Sequence, residues 1–271
     1  MPIHPTAIID PKSELDSSVE VGPFCVIDGH VQVAAGCRLY QGVYLSGWTQ
    51  IAEECELHPG VIVGHAPQDI KYSGQRSYCR IGRGTILREY TTVHRGTDPE
   101  SQTVVGENCF VLSASHVAHN CQVGDNVTLI QNAILGGHAR IGDRTTVGGA
   151  AGVHQFVRVG EGAMIAGTAR VCQDVLPFAL VDPAGRISGI NRIGLRRANT
   201  PREHFLDIRE AYRVLFGMGL PFREAVARLP DAVKTPAGKK ILEFVQADSA
   251  RGIAGRSRSR VKTCEDVAAE D

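Results

Sequence analysis

Ten histidines occur in the 271-residue chain, and four of them, His116, His119, His138 and His154, fall in one stretch rich in glycine and aliphatic residues. Imidazole exchanges a proton near neutral pH and is the commonest side-chain ligand for metals. Gathered together, these four would suit one of three roles. One could act as a general base while the others hold substrate. Several could ligate zinc at an interface shared between copies. Or they could be corner residues bonded to backbone, in a solenoid that only binds or scaffolds. The choice turns on whether the chain brings residues so far apart in sequence to one place.

A six-residue period supplies the means. Stepping by six from Ile3 gives Ile9, Leu15, Val21, Ile27, Val33, Leu39, Leu45, Ile51, Leu57 and Val63, and the phase resumes at Ile81 and runs to Val171. Ile, Leu or Val fills 26 of the 29 stations from 3 to 171, with Asp69, Gln75 and Pro99 as exceptions. Neither helical nor simple strand alternation yields this period. Each unit is a short strand plus a turn, and three units close one triangular coil with its aliphatic stations inside. Coils then pair like parallel strands about 4.8 Å apart. Glycines in Val-Gly-Pro, Ile-Gly-Arg, Val-Gly-Glu, Val-Gly-Asp and Ile-Gly-Asp are expected to permit the turns. The expected fold is mainly β, a parallel β-helix, with off-phase residues 69–80 and 99–104 leaving it as loops.

In such a prism, residues three units apart stack. His119 shares a column with Gly137 and Gln155, His138 and His154 lie one residue off it, and His116 precedes His119 on the same coil. The four histidines therefore converge on one edge. After Val171 the register fades. Thr200-Pro201-x-Glu203 reads as N-cap, first-turn proline and capping-box glutamate. Phe205, Ile208, Tyr212, Leu215 and Phe216 then keep helical spacing to Gly217, and shorter helices are expected at 221–229 and 236–247. The predicted organisation is a β-helix over 1–190, a helical domain over 191–248, and a disordered Arg/Ser-rich and acidic tail over 249–271.

Lys+Arg and Asp+Glu both number 29, so no net charge draws the chain to nucleic acid or membrane. No apolar run approaches the ~20 residues of a membrane span. MPIHPTAIID has no basic region leading into an apolar one, so a cytoplasmic location is expected. Residues 184–202 still concentrate Arg186, Arg192, Arg196, Arg197 and Arg202 without an acidic residue, a local patch suited to pyrophosphate or an acidic partner protein. Six of eight cysteines (Cys25, Cys37, Cys55, Cys79, Cys109 and Cys121) share one phase of the repeat. That is the pattern of small buried filler rather than of a disulfide framework.

IHPTAII at 3–9, PQDIKYSG at 67–74, VHRGT at 93–97, SHVAHNC at 115–121, LGGH at 135–138, GVHQFVRVG at 152–160 and INRIGLRR at 190–197 follow in order. Through them the chain, over about residues 3–220, resembles the UDP-N-acetylglucosamine 3-O-acyltransferases of lipid A biosynthesis. The resemblance implies a left-handed winding, against the usual right-handed crossover, and a C-terminal α-helical domain. It also implies a homotrimer with sites between subunits, needing neither metal nor cofactor. The implied reaction moves a (3R)-3-hydroxyacyl chain from acyl carrier protein to the glucosamine 3-hydroxyl of UDP-N-acetylglucosamine. His119 then matches the general base and Gly137 the backbone donor to the developing oxyanion. Asp69, Lys71, His116, His138 and Gln155 match substrate contacts, with His154 beside them. Asn191 and Arg197 match nucleotide contacts, and Gly167 falls where acyl length is set.

Two positions depart from that pattern. Asn120 stands where many relatives have Asp. An amide can orient an imidazole but cannot stabilise its cation as a carboxylate does, so a weaker base is expected, and Asn120→Asp is expected to raise turnover at low pH. Ile193 and Ala198 replace a glutamate and a second arginine near the nucleotide. The rivals are the N-acyltransferase of the same pathway, a coenzyme-A-dependent acetyltransferase, and a carbonic-anhydrase-like or non-enzymatic solenoid. The N-acyltransferase normally carries a domain before its repeats, whereas here they begin at Ile3.

Overall fold

The computed structural model describes residues 3–256. Strands of two to four residues pair in parallel from coil to coil, forming three sheets of nine, eight and ten strands around a triangular prism. The fold is a left-handed parallel β-helix capped by helices. The aliphatic stations from Val21 to Val171 are buried inside it. Each buried Val, Leu or Ile stabilises by about 1.5–3 kcal/mol relative to exposure, so the inner column is the main source of stability.

The step of three repeat units per coil holds below His116: His116 pairs with Ile134, Ile134 with Gly152, and Gly152 with Arg170. Above it the step widens, for Trp48 pairs with Tyr78 and Tyr78 with Gln102. Two insertions therefore leave the prism, the first as long as two repeat units and the second as long as one. Each begins and ends a little before the phase break suggests, because Tyr78–Ile81 and Gln102–Val105 are already strands.

The corners work differently from the expectation. From residue 108 to 156 the left-handed backbone residue recurs at every sixth position and is never glycine: Asn108, Ala114, Asn120, Asn126, Asn132, His138, Arg144, Ala150 and Phe156 all have φ between 51° and 65°, whereas Gly36, Gly42, Gly60, Gly84 and Gly162 fill the same position elsewhere. The cost of that conformation for a side chain is borne once per corner and offset by stacking. The glycines of the Val-Gly and Ile-Gly pairs serve another purpose. A Cβ at Gly82 would lie 2.5 Å from the Gly106 carbonyl carbon, and one at Gly106 would lie 2.5 Å from Gly124 O. They let adjacent coils approach. The phased cysteines are buried and free, and the thiols of Cys25, Cys37, Cys55, Cys109 and Cys121 donate to corner carbonyls, as Cys121 Sγ does to Gly136 O at 3.2 Å. Thr145 fills the same niche through its hydroxyl.

An antiparallel pair, Ala179–Val181 with Ile187–Ile190, ends the prism. Four helices follow: α1 (Arg192–Arg197), α2 (Arg202–Gly217), α3 (Phe222–Ala232) and α4 (Pro236–Gln246). Ile208, Tyr212 and Leu215 of α2 are buried as the spacing predicts. The expected capping box is not formed. Pro201, which has no side-chain acceptor, occupies the cap position with an extended backbone, and the Thr200 N–H that Glu203 would have received is bonded to Leu195 O. Asp207 holds the α3–α4 junction by accepting from the Lys234 and Thr235 N–H groups and the Thr235 hydroxyl.

The segment expected to be disordered from Ser249 instead returns to the prism as far as Arg256. Ile253 bridges Asp174 and Arg256 bridges Ile187, while Ala254 is buried. The Asp174 carboxylate, itself fully buried, is neutralised by Arg158 at 2.7 Å. Residues 257–271, with the rest of that expectation, lie outside the described residues.

Candidate active site

His119 sits at the corner after strand His116–Val117, with its side chain 14% exposed. Its Nδ1 lies 2.9 Å from Asn120 Oδ1, and that same oxygen accepts the Thr97 backbone N–H at 2.9 Å. A backbone N–H can only donate, so it fixes which end of the amide faces inward. The oxygen in turn requires a proton on Nδ1. Nε2 is left as the unprotonated nitrogen, the form a general base needs. Asn120 is itself held by donating its N–H to Thr103 Oγ1 at 2.7 Å.

Gly137 stacks one coil below. A Cβ there would lie 2.6 Å from both Cε1 and Nε2 of His119, so only glycine lets the imidazole rest against this stretch of main chain. Among the described residues no hydrogen bond uses the Gly137 N–H. Base nitrogen and free donor are therefore neighbours, as attack on an ester-like carbonyl requires.

The other histidines extend the edge. His138 meets His119 edge-on at 5.3 Å and stacks on Phe156 at 4.6 Å. His116 bonds Thr92 Oγ1 through Nδ1 at 2.7 Å and packs 4.9 Å from His94. Burial, with the positive form of His119 nearby, lowers the pKa of both His116 and His138. The sequence does not single out His94, because the second insertion, lying between the two residues, hides its stacking on His116. Burial, with His116, His65 and His119 close by, pushes it down to about 4. His154 is exposed at the same corner two coils from His119, its Nδ1 3.2 Å from the Gln155 carbonyl.

The depressed His94 value has a consequence for stability. In the unfolded chain an imidazole titrates near 6.5, so the folded state is penalised as pH falls from about 6.5 through 4. Stability is complete above the higher value, and on the order of 3 kcal/mol is lost by the lower one. Urea unfolding of wild type and His94→Asn at pH 7 and pH 4 should show the variant losing less. Equal losses would refute the assignment.

Asp69 reaches the site from the long insertion, with Oδ2 3.7 Å from His119 Nε2. Its carboxyl is held below the usual range by the Lys71 N–H, bonded at 3.0 Å, and by the nearby His119. Lys71 is exposed beside it. A clamp the sequence did not reveal fixes this loop. Arg95 donates to Gly64 O at 2.7 Å and to Tyr72 Oη at 2.6 Å, and Gln75 donates to Thr97 O.

Three expected residues lie elsewhere on the chain. Gly167 is at the neighbouring corner of the prism, stacked on Gly149. Asn191 caps α1, accepting from Gly194 N and donating to Gly162 O, each at 2.9 Å. Arg197 is exposed in the last turn of that helix. Among the described residues no contact joins any of the three to His119, and no three His, Cys, Asp or Glu side chains are gathered as a metal-binding group. Among the same residues, no helix is long and apolar enough to cross a membrane.

Residues 174–254 match the family model described as Udp N-acetylglucosamine O-acyltransferase, Domain 2. The chain is 37% identical to the acyl-(acyl-carrier-protein)–UDP-N-acetylglucosamine O-acyltransferase of Thermodesulfovibrio yellowstonii, over 93% of this chain and 98% of that one. It is 42% identical to the protein of the same name from Trichlorobacter lovleyi, over 93% and 99%. Among solved structures, LpxA from Acinetobacter baumannii superposes with a TM-score of 0.90 at 33% identity, covering 94% of this chain and all of that one (100%). The UDP-N-acetylglucosamine acyltransferase of Francisella novicida gives 0.90 at 30%, covering 95% of each. With relatives this similar along nearly its whole length, the chain belongs to the UDP-N-acetylglucosamine O-acyltransferase family.

Proposed function

We propose that this protein transfers a (3R)-3-hydroxyacyl chain from acyl carrier protein to the 3-hydroxyl of UDP-N-acetylglucosamine, opening lipid A synthesis. The observation that carries the mechanism is the unprotonated Nε2 of His119 lying against the main chain at Gly137. A sugar hydroxyl is a poor nucleophile at neutral pH. Nε2 takes its proton as the oxygen attacks the thioester carbonyl, and the Gly137 N–H receives the charge that gathers on the carbonyl oxygen. Collapse of the tetrahedral intermediate expels the carrier thiolate, which recovers the proton from His119. Asp69 and Lys71 hold the sugar from the loop side, His116 flanks His119 on its own coil, and His138, His154 and Gln155 line the edge below.

Gly167, Asn191 and Arg197 enter this scheme from a second copy. Their placement away from His119 within one chain is what a homotrimer with sites between protomers would produce, since cyclic closure sets one edge of the prism against another face of its neighbour. We place this reaction in the cytoplasm. The test is acyl transfer from 3-hydroxyacyl carrier protein to UDP-N-acetylglucosamine by the purified chain. Product carrying an ester at the 3-hydroxyl is expected. Transfer only to the amine of an already acylated glucosamine would overturn the proposal.

A further inference from the structure

The returning C-terminal segment adds a residue to this edge that the sequence motifs do not include. Ser249 Oγ accepts the Arg251 and Gly252 N–H groups, and Asp174 bonds Gly252 O and the Ala254 N–H, so the backbone at 251 is fixed on both sides. Arg251 then projects onto the His119 corner. Its Nε donates to the Gln155 carbonyl at 2.9 Å, and its guanidinium lies 5.9 Å over the Phe156 ring. The Gln155 carbonyl is also the partner of His154 Nδ1.

Two donors on one carbonyl oxygen have a defined result. His154 must carry its proton on Nδ1, and Arg251 is anchored through Nε alone. Among the described residues no hydrogen bond uses either Arg251 Nη. A fixed, half-exposed guanidinium fork and an exposed imidazole thus stand together beside the column of His119 and Gly137. We infer that Arg251 forms a receptor for a phosphate group of a substrate, the two Nη groups of its fork donating to two anionic oxygens in the geometry guanidinium favours, while His154 shares the carbonyl that anchors it.

The inference rests on the acyltransfer reading, in which both substrates carry phosphate. Gln155 lies two coils from His119, about 10 Å at the inter-coil spacing. A sugar whose 3-hydroxyl meets His119 carries its diphosphate at the nearby anomeric carbon. The phosphodiester of the carrier's pantetheine arm lies at the far end from its thioester. The diphosphate is the better fit.

The test compares full-length wild type, Arg251→Ala and Arg251→Lys. Arg251→Ala is expected to raise KM for UDP-N-acetylglucosamine, and the Kd of UDP measured by calorimetry, about tenfold, the effect of one charge-assisted contact. Its kcat should stay within about threefold. Arg251→Lys should recover only part of the loss. If KM for the acyl carrier donor rises instead, and the penalty vanishes with acyl-pantetheine lacking the phosphate, the phosphodiester is the anion received and the receptor stands. Unchanged values for both substrates, with or without a lower Tm, would show that Arg251 only pins the tail and would overturn the inference. Absence of transfer by wild type would instead strike the acyltransfer reading, and UDP binding would still report on the receptor.

Discussion

Replacing His119 by glutamine is expected to lower kcat by roughly 10²–10⁴-fold, the contribution of a positioned general base, with both KM values nearly unchanged. Glutamine keeps the bulk of the ring and can still donate to Asn120 Oδ1, so the fold and the edge survive. What disappears is the basic Nε2. Nothing nearby is placed to substitute. Asp69 is the nearest oxygen base, but the Lys71 N–H, which the variant retains, holds its carboxyl below the ordinary range, which makes it a weak proton acceptor. His138 is turned edge-on to His119 and stacked on Phe156, and burial lowers its basicity. Steady-state kinetics with both substrates saturating would decide the matter: activity within tenfold of wild type would put the base elsewhere.

Gly137→Ala is expected to cost on the order of 10²-fold in kcat, comparable to losing one oxyanion donor, while leaving Tm almost unchanged. The backbone at 137 is not in the left-handed region, so alanine meets no conformational barrier. The added methyl instead occupies space held by the His119 ring, 2.6 Å from Nε2. The ring must swing away, separating the base from the substrate hydroxyl and placing carbon between substrate and the free N–H. The pairing of lost kcat with retained stability, read by kinetics and thermal unfolding, distinguishes this from a folding defect. A variant with wild-type turnover would show that the contact between ring and main chain is incidental.

Asn120 bears on the same base, and the low-pH expectation for Asn120→Asp does not survive the geometry. The Asn120 oxygen already accepts from His119 Nδ1 and Thr97 N–H, so aspartate would keep both bonds and add charge. Added charge stabilises the protonated imidazole and moves the acidic limb of the pH–rate profile upward. Any gain in turnover belongs on the plateau at higher pH, not below it.

The repeat explains why part of the site was legible and part was not. Between Val105 and Val171 the period runs without insertion, so one full coil on from His119 lands on Gly137, and the structure places them in contact. Above that stretch the insertions displace the stacking partner by one or two whole repeat units. That shift hides the neighbours His94 and His116 and the clamp from Arg95 to Tyr72. Asp69 shows itself to the repeat only as a break in the aliphatic stations, the PQDIKYSG resemblance marks it as a substrate contact, and its approach to Nε2 depends on loop geometry that no period encodes. Gly167, Asn191 and Arg197 sit on other parts of the chain, and resemblance alone joins them to His119.

Two mismatches have local causes. The Val-Gly and Ile-Gly pairs suggest glycine at the left-handed corners, yet His138 and Phe156 occupy them, because coil stacking outweighs the modest cost of that conformation for a side chain. Residues 249–256 read as a polar tail on composition. A serine that caps the turn, a buried alanine and bridges to Asp174 and Ile187 tie them down.

Everything in this mechanism depends on neutral His119 carrying its proton on Nδ1 and leaving Nε2 bare. Nitrogen-15 NMR of protein labelled at histidine, recorded at a pH where imidazoles are neutral, reads this directly, with the His119 signals assigned by their loss in His119→Gln. An imine-type Nε2 and a protonated Nδ1 are predicted. A proton found on Nε2 would leave that nitrogen unable to accept one from the sugar, and the mechanism would fail.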